Sequence, residues 1–135
     1  MSCELTDSTC IGELLTDMKE YSNNVFPRNL CIATHLDDAH RTLECPYTED
    51  KKFEFVETAI ATTYRANYKD KDSGCLLLVI NKDMDIATIC HEALHIVRQM
   101  IEELPCPLND DTEEVWCYLI GWVANCINDY MKQPN

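Results

Sequence analysis

The chain has 135 residues, 46% of them hydrophobic and 26% charged, a composition that fits one globular domain with a real core and excludes a disordered segment. Twenty-four acidic against eleven basic residues leave a formal charge of −13, which repels phosphate backbones and argues against nucleic acid as a direct partner. The longest apolar run, residues 75–80, is strand-sized and far short of the roughly 18 residues that span a bilayer, so no membrane partner is expected.

In chain order, residues 10–21 (CIGELLTDMKEY) place apolar side chains at 11, 14, 15 and 18, the spacing of a short amphipathic helix. Asn23-Asn24 and Pro27 break it. Residues 30–36 (LCIATHL) read as a strand, followed by an irregular stretch through 37–46 with a helical turn. The segment 57–69 is rich in Thr and Tyr and precedes the turn signal Asp70-Lys71-Asp72-Ser73-Gly74, which favours a hairpin of 58–68 with 75–81 over a helix. Beyond the turn-like Asn81-Lys82-Asp83 a helix is expected over about 86–104, with Asp85 as N-cap and Pro105 and Pro107 as its stop. A last helix over about 111–131 begins after Asp110-Asp111, where acids suit the positive end of the helix dipole. The whole chain reads as a single domain with its core over about 30–131.

Nine cysteines stand at 3, 10, 31, 45, 75, 90, 106, 117 and 126, with no C-x-x-C among them. The familiar thiolate zinc spacings are therefore missing. The count is odd, and the opening MSCELTDSTC lacks the basic start and apolar stretch of an export signal. Reduced thiols and a cytoplasmic location are expected, with Cys75, Cys90 and Cys126 acting as small hydrophobes inside apolar patterns.

The sharpest motif is His91-Glu92-Ala93-Leu94-His95, an H-E-x-x-H on an expected helix. Histidines four apart lie on one face, so both imidazoles can reach one ion, and the glutamate projects to the neighbouring face as a general base. On a helical wheel Ile86, Ile89, Cys90, Ala93, Val97, Met100, Ile101 and Leu104 form one apolar arc, and both histidines point nearly opposite to it. The bland reading of His91, His95, Arg98 and Glu102 is a solvated polar stripe.

A catalytic zinc normally takes three protein ligands and keeps a fourth position for water. In the last helix Trp116, Leu119, Val123, Cys126, Ile127 and Tyr130 form the apolar arc, while Glu114, Tyr118, Gly121 and Asn125 share another side. Glu114 is thus the first candidate for third ligand and Glu113 the second, with Asp110, Asp111, His35 and His40 kept open. Both glutamates equally suit the helix dipole alone. Gly121 leaves room for a neighbouring helix to approach closely. Tyr118, one turn beyond Glu114, can donate to an oxyanion or serve only in packing.

The order strand, H-E-x-x-H helix, glutamate helix is carried by LLLVI, TICHEALHIV and TEEVWCYLIGW over about residues 75–127. It resembles the zincin metallopeptidases of gluzincin type, and also small zincin-like proteins carried by bacteriophages and bacterial mobile elements. The resemblance implies an α+β zincin-like domain, a short twisted sheet packed on the H-E-x-x-H helix and a following glutamate-bearing helix. It implies one Zn2+ per chain on His91, His95 and Glu114, with Glu92 as catalytic base; Tyr118 stays a candidate donor on its helix position alone. It further implies a peptide or protein substrate and a bacterial or phage-infected host cell. The chain departs from the metzincin pattern, because Ile-Val-Arg-Gln-Met-Ile follows His95 where a third histidine would stand. The spacing from His95 to Glu114 is short, and little chain is left to build a deep cleft. The expected function is zinc-dependent hydrolysis of peptide bonds; the alternative is a non-catalytic zinc-containing module that binds proteins through its acidic surface.

Overall fold

A computed structural model describes residues 17–26, 28–102 and 104–132. The architecture is α+β, and the chain divides into two compact units, residues 1–83 and 84–135.

The first unit holds a five-stranded sheet in the order β1-β2-β5-β4-β3. The strands are β1 (Lys19–Tyr21), β2 (Asn29–Ala33), β3 (Leu43–Glu44), β4 (Ala61–Tyr68) and β5 (Gly74–Ile80), with a one-turn helix α1 (Leu36–Ala39) after β2. β2 runs parallel to β5, in register Cys31↔Leu77 and Ala33↔Val79, and every other pairing is antiparallel. β5 is central, and six of its seven residues are buried. That burial on both faces is why its sequence, GCLLLVI, is continuously apolar rather than alternating. One face carries Cys31, Ala33, Ala66, Cys75, Leu77 and Val79, which pack with Ala39 of α1, Leu43 of β3, and Cys45 and Phe53 of the segment that follows.

The expected hairpin of 58–68 with 75–81 is present as β4 and β5, paired from Ala61↔Ile80 to Asn67↔Gly74. Gly74 is required where the strands join, because a Cβ there would lie 2.9 Å from the Ala66 carbonyl oxygen. Two expectations need correction. Residues 19–21 form an edge strand, not the end of a helix, because pairing of Glu20 with Cys31 and Tyr21 with Leu30 overrides a weak local preference. Asp17 and Met18 are not helical either, and residues 10–16 of the expected helix lie outside the described residues. The strand expected to reach Leu36 stops at Ala33, since Leu36 opens α1.

The second unit contains two helices, α2 (Ile86–Ile101) and α3 (Glu113–Met131), which pack against one another. Asp85 caps α2 as expected, its carboxylate accepting from the Thr88 amide at 2.8 Å. Between the helices, the Asn109 side chain accepts from the Asp111 and Thr112 amides at 2.9 and 3.2 Å. Those bonds fold the loop and set the start of α3. All six apolar positions expected on α3 are buried, and Trp122 joins them. The arc on α2 is rotated: Ile89, Ala93, Val97, Met100 and Ile101 are buried with Ile96, whereas Ile86, Cys90 and Leu104 are exposed. Among the described residues no helix is long and apolar enough to cross a membrane.

Candidate metal centre

The H-E-x-x-H segment lies in the middle of α2. At about 100° per residue, the buried arc leaves His91 and His95 on the opposite side, and both are exposed. Their rings converge: the two Nε2 atoms are 3.2 Å apart, the centroids 4.8 Å, and the planes are inclined at 70°. Two nitrogens bound to one tetrahedral zinc at 2.0–2.1 Å would stand about 3.3–3.4 Å apart. The imidazoles therefore hold the separation that one edge of a zinc site demands. The same approach lies within hydrogen-bonding distance of the two ring nitrogens, donor and acceptor being set by the tautomers.

Glu92 lies about 60° round the helix from His95 and is half-buried. It sits between the histidine face and the buried arc, partly shielded from water yet beside the pair.

The remaining candidates are placed elsewhere. Among the described residues no third His, Cys, Asp or Glu joins His91 and His95 in a group able to hold a metal. Glu114 is exposed on the side of α3 roughly opposite its buried arc, while the histidines lie opposite the buried arc of α2. Glu113, Asp110 and Asp111 are exposed as well. Tyr118 is 47% exposed on the outer side of α3. A Cβ on Gly121 would meet nothing within 4 Å, so the close helix approach expected there is absent.

His35 and His40 have local duties in the first unit. His35 is exposed beside the Thr34 hydroxyl, 3.1 Å from its Nδ1. His40 stacks on Phe53 with centroids 5.3 Å apart, and its Nε2 accepts from the Phe53 amide at 3.0 Å. Burial, then the nearby Lys52 and Lys69, push its pKa below the ordinary histidine value.

Sequence reasoning missed a pocket of about 530 Å³ that begins at His95 and runs to the C-terminal end of α2. Arg98 and Gln99 from α2, the 104–107 loop and Trp116 from α3 line it. The Trp116 indole N–H donates to the Cys106 carbonyl at 3.1 Å and ties that loop to α3. The polar stripe continuing through Arg98 was legible; the loop that walls it was not.

Also missed was a polar network in the first unit. Asn29 Nδ2 donates to the Tyr68 hydroxyl at 3.1 Å, and Tyr68 donates to the Glu20 carboxylate. The Cys31 thiol lies 3.8 Å from Glu20 and 3.8 Å from Cys75 Sγ. Its hydrogen bond with Cys75, and then burial, hold the Cys31 thiol well above the ordinary cysteine range. Burial comes first among the causes that do the same for the Tyr68 phenol.

Compared with known proteins, the chain matches no protein-family model, no curated protein and no solved structure.

Proposed function

We propose that this protein is a zinc-dependent hydrolase of peptide or amide bonds, of zincin-like type, centred on His91, Glu92 and His95. The observation that carries the reading is the 3.2 Å convergence of two exposed imidazole nitrogens, with a half-buried carboxylate on the adjoining face. The donor set suits a borderline cation such as zinc, which when bound supplies a Lewis acid and lowers the pKa of water toward about 7. His91 and His95 would hold the ion. Glu92 takes a proton from the attacking water and returns it to the leaving amine. Glu114 serves as third ligand only if α3 turns its outer face toward the pair.

Metal content of the purified protein tests the reading. One zinc per chain is expected, lost in His91→Ala and in His95→Ala; Glu92→Gln should retain zinc and lose hydrolysis of a peptide mixture. Absence of zinc from the wild type after incubation with the metal would overturn the proposal. Glu114→Ala separates a site that recruits this carboxylate, which then loses zinc, from one that does not.

A non-catalytic zinc module that binds a protein partner is the second reading. It is favoured by Ile86 and Leu94, 80% and 44% exposed on the same helix as the histidines. Zinc retained by a wild type that cleaves nothing would select it.

A further inference from the structure

The pocket that opens from His95 is mixed in character. Ile101, Leu104, Pro105 and Trp116 supply apolar surface, and Arg98 is its one cation among the described residues. Arg98 is exposed, three residues beyond His95 on the histidine side of α2, and no ion pair with it is found among the described residues. Side chains three apart on a helix are neighbours, with Cβ atoms about 5–6 Å from each other. A guanidinium presents a rigid fork of N–H donors that matches a carboxylate through two parallel bonds. The −13 charge of the chain does not forbid an anionic ligand here. Exposed charges beyond about 8 Å are screened at physiological salt, so the nearest cation decides. Glu102, one helical turn beyond Arg98, also lines the pocket.

We propose that this pocket is a carboxylate subsite: Arg98 pairs with a carboxylate of the ligand, while an adjacent apolar side chain rests on Leu104 and Trp116. If the hydrolase reading holds, the substrates are peptides bearing that carboxylate close to the cleaved bond. An extended peptide advances only about 3.3–3.6 Å per residue. The step from His95 to Arg98 therefore corresponds to one or two residues of substrate. The carboxylate is either the peptide's own C-terminus or an acidic side chain.

The test is equilibrium binding of dansyl-Gly-Leu-Phe to the full-length protein, as the free acid, as the C-terminal amide, and as an amide with Glu in place of Leu. Each is measured with and without added zinc. Either carboxylate-bearing form should bind about tenfold or more tightly than the neutral amide, as expected for hydrogen bonds to a charged group. The tighter of the two identifies the source. Arg98→Gln should erase the preference while its zinc content equals that of the wild type. Equal binding of all three peptides, or a preference that survives Arg98→Gln, overturns the subsite. A preference intact in protein that takes up no zinc sinks the hydrolase and leaves the subsite standing; zinc and cleavage without the preference do the reverse.

Discussion

At the scale of single residues, surroundings separate side chains that look alike in the sequence. Cys90 and Cys117 are exposed on helices, whereas Cys31, Cys45, Cys75 and Cys126 are buried, and burial pushes the Cys126 thiol up further. Only a thiolate reacts quickly with alkylating reagents. Iodoacetamide labelling followed by peptide mass spectrometry should therefore mark Cys90 and Cys117 in native protein, and the buried four only after unfolding in urea. Labelling of Cys31 at the rate of Cys90 under native conditions would contradict this packing. His40 makes a second prediction. Its folded pKa is depressed, so the unfolded chain takes the proton first, near the ordinary value of about 6.5. The stability contributed by its bond from the Phe53 amide is complete above that pH and declines as pH falls toward the folded pKa. Urea midpoints at pH 7.5 and 5.5 should differ less in His40→Gln, whose amide oxygen can still accept from Phe53, than in the wild type.

At the scale of elements, some features were legible because local chemistry and tertiary structure agree. The β4–β5 hairpin is one: β-branched and aromatic residues lead into a charged turn closed by glycine, and the pairing runs as read. The Asp85 cap is another. Legibility failed where long-range pairing or helix facing decides. Nothing within KEY itself announces that Lys19–Tyr21 pairs with a strand ten residues on. On α2, Ile86 and Cys90 belong to the apolar spacing, but burial follows the side turned inward, which includes Ile96. The third ligand was illegible for a similar reason. A wheel shows which residues share a face with Glu114; it does not show which way that face turns once α3 packs on α2. The hairpin offers a direct check. Gly74→Ala would drive a methyl against the Ala66 carbonyl, a backbone atom with little freedom to retreat. A loss of about 1–3 kcal/mol is expected in chemical denaturation, against little change for Ala substitution at exposed Asp72.

At the scale of the whole molecule, the sheet and the candidate chemistry fall in different compact units. The sheet belongs to residues 1–83, and both histidines, Glu92 and the Arg98 pocket belong to residues 84–135. The strand order has a further consequence for how the chain is made. β5, the last strand synthesised, lies at the centre, and it is the parallel partner of β2, whose paired residues are 46 positions away. Until Ile80 leaves the ribosome, β1–β2 and β3–β4 are separate fragments, each with an open edge and an uncovered apolar face. The order of synthesis therefore leaves apolar sheet surface uncovered until β5 is available to pair. Arrested chains ending near residue 73 should be digested readily by protease, while chains with residue 83 clear of the exit tunnel should resist. Equal resistance at both lengths would show that β5 is not what closes the sheet.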